Sequence, residues 1–214
     1  MELSIKRLIE NGDYKELRQA LSKNPDLANK GISLDDANTS EAHPLHRICD
    51  AVFFKKITDD EAVEVAKIFL EYGAHVDGYE LKEKQDSPLT AAASLHAEKV
   101  GLYYILKGAN IHHAGCSGGT ALHWASWCGR NKLVKELIDR HADINKKCID
   151  YGATPLGWAV HGYKYGGESN RHYQIECVKL LIEAGADKNL PNTQGKIASD
   201  YLNEGDAELK KVLN

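Results

Sequence analysis

The side chains best equipped for chemistry are gathered at His112-His113-Ala114-Gly115-Cys116, with Cys148 at a matching place further along the chain. Two histidines and two cysteines would supply the roughly four tetrahedral ligands that zinc takes. Adjacent histidines point apart, however, and the His-His-x-x-Cys spacing matches no closed site. Polar side chains at a finger tip are the plainer reading. A nucleophile at Cys116 or Cys128 would need a base, an orienting group and an oxyanion loop, and the sequence names neither a third residue nor such a loop. His43, His75 and His96 read as surface or structural histidines. Gly118-Gly119 and Gly166-Gly167 are not phosphate loops, because neither sits in a G-x-x-x-x-G-K-[ST] or G-x-G-x-x-G pattern after a strand. On this reading no metal, no cofactor and no catalytic residue is expected.

The elements that carry these residues recur. Residues 118–145 read GGTALHWASWCGRNKLVKELIDRHADIN. A Thr-Ala-Leu-His step opens an apolar helix, and a Gly turn leads to a second helix with Leu133, Val134, Leu137 and Ile138 on one face. The opening step returns as HPLH (43–46), SPLT (87–90), TPLG (154–157) and IASD (197–200). The closing segment returns as GAHVD (73–77), GANIH (108–112), HADIN (141–145) and GADKN (185–189). Two motifs recurring together at a period of about 33 residues, over roughly 38–203, resemble the ankyrin repeat.

The resemblance implies an all-α solenoid of paired antiparallel helices joined by β-hairpin-like fingers, with capping repeats at both ends. A single domain over 1–214 is expected, with an N-terminal cap at 1–37, repeats at 38–81, 82–114, 115–148 and 149–191, and a C-terminal cap at 192–214. Pro44, Pro88 and Pro155 suit the first turn of helix A, where a missing N–H costs nothing. Gly73, Gly108 and Gly185 follow helix B, where a left-handed residue is wanted, and His141 takes that place in repeat four. Helix B should end near residues 72, 107, 140 and 184. By resemblance, His46 and His123 should tie the start of helix A to the neighbouring repeat.

Two repeats are longer than the others. Nine extra residues fall in Asp50–Asp60, DAVFFKKITDD, and ten in Gly162–Tyr173, GYKYGGESNRHY. Helix A of repeat two is expected to stop near Cys49, and helix B to start near Thr58 or Asp59. Both insertions read as loops at the turn between helices A and B, outside the repeating core. Shortening the second by ten residues around Gly162–Arg171 should then leave folding intact. Their aromatic content is not that of a passive linker: Phe53 and Phe54 stand beside Lys55 and Lys56, and Tyr163 and Tyr165 beside Glu168 and Arg171.

Composition narrows the function classes. The chain has 214 residues, 43% of them hydrophobic and 27% charged, enough for a core and a polar surface. A net charge of −4 suggests neither nucleic acid nor a membrane surface as partner. The N-terminal MELSIKRLIENGD has no signal-peptide core, and no apolar run approaches the ~18–20 residues of a membrane span. Five cysteines, an odd number without C-x-x-C spacing, read as reduced thiols in a cytosol-like compartment, the chain's own or a host's.

The aromatic residues point to a use. By the ankyrin resemblance, Trp124 and Trp158 pack inward and Trp127 faces the concave groove. Ser117 and Cys128 share that register in repeat four, and Asp150, Tyr151 and His161 share it in repeat five. Repeats two and three place mostly small or charged residues there, Thr39 among them. Aromatic anchors in a polar surround are the make-up of a binding hot spot. The expected partner surface is therefore Ser117, Trp127, Cys128, Asp150, Tyr151, His161, Tyr163 and Tyr165. The expected function is a monomeric protein–protein interaction module that binds an unidentified protein or peptide. The alternatives are a metal-binding or enzymatic variant using His112, His113, Cys116 and Cys148, and a reader of peptide tails with an aromatic groove.

Overall fold

The computed structural model describes residues 4–34, 40–167 and 170–213, and Thr39 and Glu168 lie outside them. The chain divides into two compact units, one of residues 1–81 and 87–110, the other of residues 82–86 and 111–214.

The first unit opens with α1 (Ile5–Asn11) and α2 (Tyr14–Lys23), separated by Gly12 in the left-handed conformation. Leu8, Ile9, Leu17 and Leu21 of this cap are buried. A two-residue antiparallel pair, β1 (Ile32–Ser33) with β2 (Glu41–Ala42), leads to α3 (Pro44–Phe53) and α4 (Asp59–Glu71). The next pair is α5 (Pro88–Ser94) and α6 (Glu98–Leu106). Helices A pack on helices A and helices B on helices B, α3 against α5 and α4 against α6. Tyr104 is fully buried in this stack and donates its hydroxyl to the Leu45 carbonyl at 2.8 Å.

The second unit contains α7 (Ala121–Trp127), α8 (Asn131–Asp139), α9 (Pro155–Tyr165), α10 (Arg171–Glu183) and α11 (Ala207–Leu213). Again α7 packs on α9 and α8 on α10, and α11 closes against α10. Leu133, Val134 and Leu137 are buried, the 3–4 spacing of one helical face. The chain is thus all-α with the helix pairing of ankyrin repeats. Among the described residues no helix is long and apolar enough to cross a membrane.

The opening motif works by capping. Ser87 Oγ accepts from the Thr90 N–H and Thr154 Oγ1 from the Gly157 N–H, with Pro88 and Pro155 at the first helical position. Thr58 and Glu61 form a reciprocal capping box that starts α4 where the sequence indicated. The closing motif ties repeats together. Asn29 Oδ1 accepts from the His75 N–H, Asp77 Oδ1 from the Asn110 N–H, and Asn145 Oδ1 from the Asp187 N–H.

Helix B ends at Glu71, Leu106, Asp139 and Glu183, each one residue before the expected position. The residue at the following turn is left-handed in all four repeats: Gly73 at φ 87°, Gly108 at 88°, His141 at 64° and Gly185 at 91°. A Cβ at this conformation costs of order 1 kcal/mol, partly offset by the chain entropy that glycine adds to the unfolded state. His141→Gly should therefore raise stability by about 0.5–1 kcal/mol. A melt in which the variant unfolds at lower temperature than the parent would contradict this.

Three expectations are corrected. Helix α3 does not stop near Cys49 but runs to Phe53, with Ala51 buried. The second insertion is not a loop over its whole length, because α9 continues to Tyr165 and Gly162 and Tyr163 are both buried. Leu156, Ala159, Val160 and Tyr163 form one buried stripe at helical spacing, so the insertion prolongs the repeat core. Among the described residues His46 makes no tie to a neighbouring repeat. The residue that caps α3 is His43 rather than a threonine, and its Nδ1 accepts from the Leu45 N–H while Nε2 lies 3.0 Å from Asn29 Oδ1. His46 instead faces Asp50 one turn on, at 3.4 Å.

Candidate functional site

Within the second unit, helices α7 and α9 each carry two stripes. On α7, Ala121, Leu122 and Ala125 are buried, as is Cys128 just after it, whereas Trp124 and Trp127, three residues apart, line a pocket of about 420 Å³. On α9, Trp158 and His161 line the same pocket, and Tyr165 one turn further lies tilted against His161, with ring centroids 4.4 Å apart. Ser117 and Tyr151 form a second wall, and Asn192, Lys196 and Tyr201 a third.

The rings form a continuous cluster. Trp158 is its centre and is 6% exposed. It meets Trp124 edge-to-face at 4.9 Å and Trp127 at 6.1 Å. Trp127 lies against His161 at 4.9 Å, and His161 meets Tyr201 at 5.7 Å. Such offset and edge-to-face pairs contribute about 0.5–1.5 kcal/mol each beyond their burial, so the cluster is a stiff surface.

The fingers that frame it are locked by backbone bonds. The N–H to carbonyl pairs Gly115 to Gly119, Cys148 to Ala153 and Asn192 to Lys196, each 2.9 Å, close three successive fingers. Asp150 N–H to Ser117 carbonyl at 3.2 Å and Thr193 N–H to Tyr151 carbonyl at 2.9 Å join them. Gly118 has a φ of 66°, and a Cβ on it would lie 2.2 Å from Ile149 Cβ, so only glycine fits this close approach.

His123 supports the cluster from below, 5.3 Å from Trp158. It is fully buried, and its Nδ1 accepts from the Thr120 N–H at 3.1 Å. Its Nε2 therefore carries the proton, donating toward the Lys146 carbonyl at 3.0 Å and the Ala153 carbonyl at 3.3 Å. This is the inter-repeat tie expected of that residue. Burial pushes its pKa down to about 4, so the ring is neutral near pH 7.

The structure sorts the expected partner-facing residues into two groups. Ser117, Trp127, Tyr151 and His161 converge on the pocket, and Tyr165, 63% exposed, extends it. Asp150 sits beside Tyr151 and is ion-paired with Lys84. Cys128 and Tyr163 do not face outward: both fall on buried helical stripes, at 9% and 7% exposure. Burial pushes the Cys128 thiol up to about 12, which also removes it as a nucleophile. Trp158 is buried as expected, but it and Trp124 also supply pocket wall. The cap residues Asn192, Lys196 and Tyr201 were missed, because a terminal cap is read for its polar outer face and not for its inner one.

The His112–Cys148 grouping does not assemble. Cys148 is 2% exposed and accepts the Trp158 indole N–H at 3.4 Å, whereas His113 Nε2 contacts the Gln85 carbonyl at 2.7 Å. Among the described residues no three His, Cys, Asp or Glu side chains stand close enough to hold a metal ion.

Comparison with known proteins agrees with the fold. The family model described as ankyrin repeats (three copies) matches residues 53–148 and 97–192, and the chain belongs to the ankyrin-repeat family. Ankyrin repeats are protein–protein interaction modules that use the exposed faces of stacked repeats. Among its relatives, the chain is 30% identical over 142 residues to ankyrin repeat and SAM domain-containing protein 6 of Rattus norvegicus, covering 62% of this chain and 15% of that one. It is 27% identical over 168 residues to an ankyrin repeat protein of Variola virus, covering 78% of this chain and 27% of that one. It is also 36% identical over 95 residues to protein phosphatase 1 regulatory subunit 12A of Mus musculus, covering 44% and 8%. The chain thus spans little more than a quarter of the length of these relatives at most.

Proposed function

We propose that this chain is a non-catalytic, monomeric binding module that holds a protein or peptide partner on the aromatic pocket of repeats four and five and the C-terminal cap. The observation that carries the reading is the convergence of Trp124, Trp127, Tyr151, Trp158, His161 and Tyr201 on one pocket. Tyr151 is 57% exposed, and exposed aromatic rings on a stiff support lose little entropy when a partner covers them. Family membership supports the same class of function, and one relative is by name a regulatory subunit of a phosphatase. Nucleic acid and a membrane surface are not the proposed partners, in keeping with the net charge of −4. A cytosol-like compartment, the chain's own or a host's, is the proposed location.

The test compares wild type with a Trp127→Ala, Tyr151→Ala double variant in capture and quantitative binding of partner. Affinity should fall at least tenfold, about 1.4 kcal/mol. The single Tyr151→Ala variant serves as the folding control, since most of that side chain lies in solvent. Unchanged capture by the double variant would place the surface elsewhere.

A further inference from the structure

We infer that the pocket selects a partner segment in which a bulky aromatic side chain is flanked by a carboxylate, and that it rejects cationic side chains. This deepens the binding reading above and rests on it.

The walls supply the apolar half of the argument. Trp124, Trp127, Trp158, Tyr151 and Tyr201 all line the space. At about 420 Å³ the space lies near the lower end of the roughly 300–1,000 Å³ typical of ligand pockets, which suits one large side chain with its flanking backbone.

Charge supplies the other half. An aromatic surround commonly invites an alkylammonium group through cation–π attraction. At Tyr201 that place is already taken by the chain itself, because the Lys196 ammonium lies over the ring, 5.4 Å from its centroid. Among the described residues that line the pocket, Lys196 is the one charged side chain and none is a carboxylate. A second cation would meet repulsion from the Lys196 ammonium. A carboxylate at the rim would meet the ammonium of Lys196, whose side chain is exposed. Asp150 of the fingers is engaged by Lys84, and Asp200 of the cap accepts from the Ile197 N–H at 2.9 Å. The polar groups of the rim have local duties: Asn192 Oδ1 accepts from the Gln194 and Lys196 N–H groups, and its Nδ2 donates to the Tyr201 hydroxyl at 2.7 Å.

All three tryptophans of the chain line the pocket, so intrinsic fluorescence reports its occupancy without a label. The experiment titrates the protein with N-acetylated, C-amidated peptides Gly-Ser-X-Z-X-Ser-Gly, where Z is Phe, Tyr, Leu, Ala or trimethyl-lysine and X is Glu, Ser or Lys. Peptides with aromatic Z and X = Glu should bind at least tenfold tighter than those with X = Lys or with Z = Ala, and added salt should weaken them. In Lys196→Glu, a change at an exposed position, the preference for Glu over Lys at X should reverse. Tightest binding by trimethyl-lysine overturns the inference, as does an order indifferent to residue 196. Adenosine monophosphate binding tighter than every peptide overturns it too. If no peptide binds while partner capture still depends on Trp127 and Tyr151, this inference fails and the broader binding reading stands. If capture is also indifferent to those residues, both fail.

Discussion

Gly162→Ala should lower the stability of the second unit by about 2–3 kcal/mol, the upper part of the range for overpacking a tight contact. A Cβ at residue 162 would lie 2.3 Å from the Trp127 carbonyl oxygen and 3.0 Å from its carbonyl carbon and Cα. These are backbone atoms at the end of α7, and the same oxygen already accepts from Gln174 Nε2 at 2.9 Å. Neither side can yield by rotating a side chain, so helix α9 must move away from α7. The contrast is Gly157→Ala on the same helix, whose Cβ would make only an ordinary 3.6 Å contact with Ala153 Cβ. That substitution should be neutral or add up to about 1 kcal/mol through helix propensity. Equal denaturation midpoints for Gly162→Ala and wild type would refute the close packing of α7 and α9. Deleting residues 162–171 should be worse still. It removes buried Tyr163 and Lys164, whose ammonium pairs with Asp206 of the C-terminal cap at 2.5 Å.

Mild acid should weaken the second unit through His123. Its pKa is 6.5 in an unfolded chain and about 4 when buried, so protons bind preferentially to the unfolded form between those values. The contribution of the neutral ring is complete above pH 6.5 and is lost as pH falls toward 4. At pH 5 the loss amounts to about 2 kcal/mol. Urea denaturation followed by tryptophan fluorescence reads this unit, because all three tryptophans lie in it. Between pH 7 and pH 5, wild type should lose about 2 kcal/mol more than His123→Gln, which cannot titrate. Equal losses in the two proteins would show that burial of His123 does not govern the acid response. In the first unit His43, 3% exposed and pushed down to about 4 by burial, acts in the same direction.

Features encoded by neighbours in sequence were legible before any coordinates. The first-turn places of Pro88 and Pro155, the Thr58 start of α4, the ends of helix B and the left-handed place of His141 all depend on residues within one turn of each other. What was not legible depends on registers and on contacts far along the chain. Gly162, Tyr163, Gly166 and Gly167 have the composition of a loop, yet Tyr163 falls on the stripe begun by Leu156 and is pulled into the core. Tertiary burial there overrides the weak helix propensity of glycine. His46 and His123 hold equivalent places in the repeat, but only His123 follows a threonine cap, and that one change redirects His46 to Asp50. The aromatic residues of repeats four and five marked the right region. Their division between buried and open faces followed the helical stripes, which placed Cys128 inward and brought Tyr201 and Lys196 of the cap into the wall.

The central claim is that the partner occupies the aromatic pocket, and the indole N–H resonances of the protein test it most directly. Three tryptophans give three such signals, and every one belongs to a ring that lines the pocket. Partner added to the nitrogen-15-labelled protein should shift or broaden all three, with Tyr151→Ala reducing the effect at equal partner concentration. Saturable binding that leaves the three indole signals where they stand would contradict the account.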